Sequence, residues 1–321
     1  MPIRFESPSL GGRGDSYLDP TGWQAGISYR RLTADEFFVG RERHDELGPF
    51  GQPLDFNIQS FTVSVSYAIT ERFALSLDVP WSTGSVSRLY PDGKRHTTAA
   101  SGLGDMHLAG TVWIWDPLNV PRGNIALGLG TKAPTGTHTA TDYNWLANGD
   151  STRAPVDQSV QLGDGGWGLV LKAEGFRRIR GRSFVYASGE YLATTKEKTR
   201  VPSPRSPQQM HAVPDVYSVR AGATTVVLPN HGVTLSLGMR QDATTKADLF
   251  GGKDLSFRRP AIVGYVDPGL SWTRGSNTFY VNTPVRAYQN FRLDYSYKPG
   301  DRVVGGDLAR YLLFMGYTRR W

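Results

Sequence analysis

Residues 61–81, FTVSVSYAITERFALSLDVPW, hold two runs of strict alternation on either side of a short polar turn, Thr70-Glu71-Arg72. In the first run Phe61, Val63, Val65, Tyr67 and Ile69 share one face, and Thr62, Ser64, Ser66 and Ala68 the other. In the second, Phe73, Leu75, Leu77, Val79 and Trp81 alternate with Ala74, Ser76, Asp78 and Pro80. A period of two predicts strands, and a short turn between such runs predicts a hairpin. One face is large, apolar and ends in aromatics, while the other is small and polar. That division suits a wall with lipid outside and a polar filling inside. A strand of a soluble sandwich also alternates, so the recurrence of the unit along the chain carries the argument.

The chain has 321 residues, no cysteine and a net charge of +7. No apolar run approaches the roughly 20 residues a membrane helix needs. The chain is therefore either water-soluble or a closed barrel, because lipid tolerates no open sheet edge. Without cysteine there are no disulfides and no thiolate metal sites. His44, His96, His107, His138, His211 and His231 show no metal-ligand spacing, so neither metal nor cofactor is expected. Arginine and lysine are scattered without a basic run, which argues against a nucleic-acid partner. The opening MPIRFESPSLGG has no apolar core and does not read as a secretory signal. Residues 1–20 read as an irregular arm and residues 21–321 as one barrel domain.

Alternation begins with Trp23, Ala25, Ile27 and Tyr29 on the outer face. Polar segments about 33–54 and 83–102 flank the central hairpin. A fourth strand sets Met106, Leu108, Gly110, Val112 and Ile114 outward, and a fifth Ile125, Leu127 and Leu129. The longest polar segment, 134–164, follows. Strand six carries Trp167, Leu169, Leu171 and Ala173 on one face, and strand seven, 184–194, has ambiguous faces. Strands eight and nine set Tyr217, Val219, Ala221, Ala223, Thr225 and Val227, then Val233, Leu235, Leu237 and Met239 outward. Strands ten and eleven, about 261–273 and 278–288, and a last strand, LARYLLFMGYTRRW, complete the set. The strands read as about 10 residues each, the length a tilted strand needs to cross a bilayer. Connections alternate short and long. The expected fold is all-β: a transmembrane antiparallel barrel of about twelve strands, with six long extracellular loops and short periplasmic turns. An aromatic residue, Trp321, ends an alternating strand, which resembles the C-terminal signal read by the barrel-assembly machinery of bacterial outer membranes. Arg319 interrupts the apolar face of that strand.

Several stretches carry a family resemblance: SGLGDMHLAG (101–110), GNIALGLGTKAPTGTH (123–138), VDQSVQLGDGGWGLVL (156–171), PDVYSVRAG (214–222), DLFGG (248–252), FRRPAIVGYVDPGLS (257–271) and FYVNTPVRAYQN (279–290). Together they resemble the outer-membrane barrel family named for the meta pathway of phenol degradation, a group of transporters. The resemblance covers most of residues 22–321 in order. Its more specific parts are the glycine-aspartate strand start, the G-x-K-x-P-T-G strand end and the late P-G-L-S strand. It implies an outer-membrane location and passage of small, often hydrophobic compounds, and brings no catalytic residues.

By alternation the inward charged or titratable residues are Arg30, Asp78, Asp105, His107, Lys132, Lys172, Glu174, Arg220, Arg240, Asp242, Asp267 and Arg286. They fit a polar eyelet that selects solutes by charge. They fit equally a network of ion pairs that rigidifies the interior, with Lys172 and Glu174 as a candidate pair. Tyr29, Tyr67, Trp81, Trp167, Trp272, Tyr317 and Trp321 face outward as candidates for aromatic girdles against outer-membrane lipid. The expected function is a passive or weakly selective outer-membrane channel. A sealed structural or surface-recognition barrel is the alternative, and an outer-membrane hydrolase a third. No His-x-Ser-x-Gly motif of an outer-membrane phospholipase is present, and His107 is the only strand histidine. No enzyme activity is expected.

Overall fold

The computed structural model describes residues 22–117, 119–120, 122–250, 256–301 and 305–321. The expected irregular arm, residues 1–20, lies outside the described residues, as do Gly251 and Gly252 of the DLFGG stretch. In chain order the strands are β1 (Gly22–Val39), β2 (Glu42–Arg43), β3 (Asp55–Ala68), β4 (Phe73–Leu89), β5 (Arg95–Leu103), β6 (Met106–Trp113), β7 (Gly123–Ala133), β8 (Thr141–Trp145), β9 (Ser151–Pro155), β10 (Gly168–Arg180), β11 (Ser183–Thr194), β12 (Lys198–Pro202), β13 (Met210–Ala212), β14 (Val216–Leu228), β15 (Val233–Thr244), β16 (Ala261–Arg274), β17 (Asn277–Asn282), β18 (Val285–Phe291) and β19 (Gly306–Arg320).

Each wall strand pairs antiparallel with its sequence neighbour, and β1 closes the circle on β19 from Gln24↔Arg320 to Phe38↔Gly306. β5 and β6 lie end to end as one stave, as do β17 and β18, which gives a closed barrel of twelve staves. No helix among the described residues is long and apolar enough to cross a membrane. The short connections, at 69–72, 114–122, 181–182, 229–232 and 275–276, all lie at one rim, with the C-terminus.

Three expectations about extent need correction. First, the unbroken wall strands are longer than 10 residues: β1 has 18, β4 has 17 and β19 has 15. Residues 33–39 and 83–89, read as polar loop, continue the ladder. Their polarity suggests loop, yet they remain paired as strand. Second, the segment 83–102 is mostly the β4–β5 hairpin, closed at residues 90–94. Third, strand eleven is broken between Asn282 and Val285.

Both broken staves face a proline in the next strand. β4 pairs with β6 as far as Asp78↔His107 and with β5 from Trp81↔Leu103, so the gap falls opposite Pro80. β16 pairs with β17 from Gly269↔Asn282 and with β18 from Val266↔Val285, so that gap falls opposite Pro268. A proline has no N–H for the ladder and is tolerated in a sheet at an irregularity. Its carbonyl is still satisfied in each case: Gly104 N donates to Pro80 O at 2.8 Å, and Thr283 N to Pro268 O at 3.1 Å.

The side-chain faces follow the alternation. Leu129, Leu237 and Met239 are 60%, 61% and 70% exposed on the outer wall. On strand seven of the sequence reading, now β11, Phe184 and Tyr186 point inward and are buried, while Val185 points outward. A wall greasy on its outside is the inverse of a soluble core and matches a lipid-facing barrel.

Candidate solute pathway

The lumen changes character along its axis. At the long-loop end an apolar cluster joins Leu54, Phe56, Ile58, Val86, Val263, Tyr265, Leu312 and Phe314. Alternation places the wall members of this cluster inward: Ala34, Phe56, Ile58 and Val86 on β1, β3 and β4 lie beyond the stretches expected as strands, while Val263, Tyr265, Leu312 and Phe314 on β16 and β19 lie within them. Phe56, Ile58, Val263, Tyr265, Leu312 and Phe314 line a chamber of about 80 Å³, and Arg30, Asp242, Arg259 and Asp307 also reach its wall. Below it lies a polar chamber of about 120 Å³, lined by Arg30, Asp78, Asp105, His107, Lys132 and Lys172 among others. Near the short-turn end Trp113, Phe176, Phe184 and Tyr186 form an aromatic cluster, with Phe176 and Phe184 rings 6.2 Å apart.

The twelve inward residues expected from alternation divide between the polar chamber and the opposite wall. Lys132, 2% exposed, donates to Asp105 at 3.0 Å, to Asp164 at 2.6 Å and to the Gly166 carbonyl at 2.7 Å. Lys172 reaches Glu190 on the neighbouring strand at 3.9 Å, a partner the sequence reading did not include when it set Lys172 against Glu174. Glu174 is half-buried two register positions nearer the short turns. On the opposite wall Arg220 and Arg240 are directly opposed across β14 and β15. Like charges in that position repel. Asp267 accepts from Arg220 at 2.7 Å, and Asp242 accepts from Arg240 at 3.0 Å through both oxygens. The Arg240 guanidinium also lies 4.8 Å over the Phe314 ring, which ties the charged belt to the apolar chamber. Arg286 pairs with Glu36 and covers the Phe38 ring at 4.4 Å. Arg30 borders both chambers.

A second set of lumen residues comes from the segment read as the longest polar loop. Within 134–164, β8 and β9 form a hairpin. Residues 156–164 then fold into the barrel, with Val156, Val160, Gln161 and Leu162 all buried. Gln161 holds the turn in place: its Oε1 accepts from Ala140 N at 2.9 Å, and its Nε2 donates to Ala140 O at 3.0 Å. A Cβ at Gly84 would stand 3.1 Å from the Val160 side chain, so glycine lets the segment lie flat against β4. Asp164 fixes its end to Lys132. The signal available in the sequence was Val156, Val160 and Leu162, three aliphatics among the otherwise polar residues 156–164.

The long loops pack on one another. Arg205 pairs with Asp294 at 3.2 Å and lies 5.0 Å over Phe257. Arg258 pairs with Asp248 at 2.9 Å. Asp215, fully buried, accepts from Tyr191 Oη, Thr194 N and Leu249 N. His211 is buried edge-on to Phe257. Burial, reinforced by the Arg259 charge and opposed by Asp157, pushes its pKa down to about 3.

The outward aromatics gather in rows. Trp23 and Tyr67 stand 4.6 Å apart, and Tyr29 and Phe61 4.8 Å apart beside Trp81. Phe61 and Tyr67 are six positions apart, about 20 Å along the strand. Trp272, Phe279 and Tyr317 continue a row at the short-turn end, at 5.5 and 4.7 Å. Trp167 and Trp321 are exposed, at opposite ends of the wall.

No family model matches the chain, and no curated protein matches it. Among solved structures it is similar to the COG4313 outer membrane channel from Pseudomonas putida F1, at 15% identity and a TM-score of 0.67, over 99% of this chain and 100% of that one. That overlap shows a shared barrel fold. Two other structures, the CymD monoaromatic hydrocarbon channel and the P. putida toluene transporter TodX, overlap more loosely. Their identities are 10% and 9% and their TM-scores 0.46 and 0.44, over 99% and 98% of this chain and 94% of each of theirs.

Proposed function

We propose that the chain is an outer-membrane channel for small apolar compounds, with its long loops outside the cell and its short turns in the periplasm. The observation that supports this most is the inward apolar chamber around Phe56, Ile58, Leu312 and Phe314. A channel for ions or sugars lines its lumen with polar groups, whereas an apolar solute gains by leaving water for a preformed apolar site. The charged belt beneath acts as framework: its buried Arg220 and Arg240 sit in pairs with Asp267 and Asp242 instead of presenting open charge. We propose further that the outward aromatics anchor the barrel at the two lipid interfaces, and that the strand ending on Trp321 is read by the barrel-assembly machinery. The resemblance to the meta-pathway family favours an aromatic solute.

The test is flux through the reconstituted full chain. Liposomes carrying the protein should take up a monoaromatic hydrocarbon faster than protein-free liposomes, with little swelling in sugars. Ile58→Asn and Leu312→Asn, each a chamber residue, should lower aromatic flux several-fold without lowering ion conductance. Flux equal to that of protein-free liposomes, together with no conductance, would favour a second reading, a sealed surface-recognition barrel. The buried segment 156–164 and the mutually packed long loops support that reading.

A further inference from the structure

The charge of the molecule is concentrated at one rim. The short turns and their strand ends, residues 69–73, 114–123, 176–183, 228–233, 273–277 and 318–321, hold nine arginines. Four lie in 177–182, one each at 72, 122 and 274, and two at 319–320. The acidic residues in these segments are Glu71 and Asp116. Nine less two is +7, the net charge of the whole chain, so the remainder is neutral overall. Some of these arginines have structural uses. Arg72 donates to the Trp113 and Ile114 carbonyls at 2.9 and 2.7 Å, Arg178 lies over Phe184, and Arg319 over Trp321. Arg182 and Arg274 are exposed and form no ion pair among the described residues.

These two arginines line one cleft together with His231 and Trp272. Trp272 and Arg274 also border a recess on the outer wall, whose other sides are Asn277, Phe279 and Tyr317. The cationic cleft and the aromatic recess on the outer wall therefore adjoin at Trp272 and Arg274, which line both. We infer that this is a seat for an anionic phospholipid of the facing leaflet, its phosphate between Arg182 and Arg274 and an acyl chain along Trp272, Phe279 and Tyr317. The inference rests on the chain being a membrane barrel, and it goes beyond transport. Charge complementarity selects the occupant. A lipid whose headgroup carries net negative charge is attracted by the whole rim, while a choline headgroup places its own cation against the arginines. The two-part geometry matches a molecule with a phosphate at one end and a chain at the other, which inorganic phosphate lacks.

The experiment is native mass spectrometry of the full chain released from micelles containing equal phosphatidylglycerol, phosphatidylcholine and lipid A, with inorganic phosphate in a parallel sample. The wild type should retain phosphatidylglycerol in preference to the other two lipids. The double variant Arg182→Gln/Arg274→Gln should bind it roughly 30-fold more weakly, as two lost cations at a lipid surface imply. Lys94→Gln, at the opposite rim, should bind as the wild type does. Heat-modifiable gel migration establishes that each variant is folded. Equal retention of phosphatidylglycerol and phosphatidylcholine, undiminished binding by the folded double variant, preference for lipid A, or capture of inorganic phosphate alone would each overturn the inference. Conductance recorded on the same preparations separates the two proposals: a silent barrel that still selects phosphatidylglycerol removes the channel and leaves the lipid seat.

Discussion

Lys132 shows what a single inward charge does in this lumen. Its ammonium is satisfied by Asp105, Asp164 and the Gly166 carbonyl, and it links wall strand β7 to the end of the infolded segment 156–164. Replacing it with methionine leaves two carboxylates facing each other without their cation. Loss of one partner of a buried pair costs about 3–5 kcal/mol, so Lys132→Met should lower the guanidinium midpoint of the micelle-folded protein. It should also raise conductance, because the infolded segment loses its tether. Adding Asp164→Asn should restore part of the stability but none of the tether. A variant as stable as the wild type and with its conductance would show that the triad holds nothing. At this scale alternation located Lys132, Asp105, Arg220, Arg240, Asp242 and Asp267 on the correct face, because a strand's period of two fixes direction without any knowledge of the fold. It missed Glu36, Asp164 and Glu190 as partners. Glu36 and Asp164 lie in stretches whose polarity concealed them, and Glu190 lies on a strand where Phe184 and Tyr186, both inward aromatics, made the two faces look alike.

The elements differ in how firmly they are held. The β18 portion of its stave pairs with β16 over Ala261–Val266 but meets β19 at a single position, Val285↔Tyr311. By contrast β14 is paired along its whole length on the β15 side. Backbone groups without ladder partners open readily, so amides of residues 286–290 should exchange faster than those of 217–225 in hydrogen–deuterium exchange of the detergent-solubilised protein. Uniform protection around the wall would contradict the pairing pattern. The break itself was marked in the sequence by Pro268 and Pro284, yet a proline inside a strand is equally consistent with an edge, and a closed barrel removes edges only once closure is known. The loops hold a different element-scale device. His211 stays neutral when packed beside Phe257 and Arg259, with a pKa near 3, whereas a freed loop histidine titrates near its ordinary value of 6.5. The open form therefore binds a proton that the packed form does not. Loop packing is undiminished above pH 6.5 and weakens as pH falls below it, by up to about tenfold per pH unit in the open fraction. Protease cleavage within 195–215 should thus accelerate between pH 7.5 and 4.5 in the wild type, and His211→Phe, which keeps the ring and removes the proton site, should flatten that dependence.

The whole molecule is a cylinder whose outer face is apolar and whose interior passes from apolar to charged to aromatic. Its closure, strand order and outer face were legible because alternation repeats in every stave but β11 and the short connections all fall at one rim. The apolar upper chamber was not legible, because Phe56, Ile58 and Val86 fall in stretches not read as strand, and alternation turns Val263 and Phe314 inward without showing that they meet. The orientation of the wall makes a quantitative claim. Leu237 is 61% exposed near the middle of β15, opposite Ala223 and Pro268. In a protein bathed by water, replacing so exposed a leucine with arginine changes stability by about 0.5 kcal/mol or less. In a barrel with this face in lipid, an arginine near the bilayer midplane costs about 2–4 kcal/mol. The two cases are separated by more than the error of a denaturant titration into phospholipid vesicles. Leu237→Arg should therefore lose at least 2 kcal/mol, while Leu228→Arg, next to the short turn on the following level of the same wall, should lose about 1 kcal/mol or less. Equal, small losses at both positions would mean that the outer face of the cylinder meets water and that the membrane assignment, with both proposals built on it, is wrong.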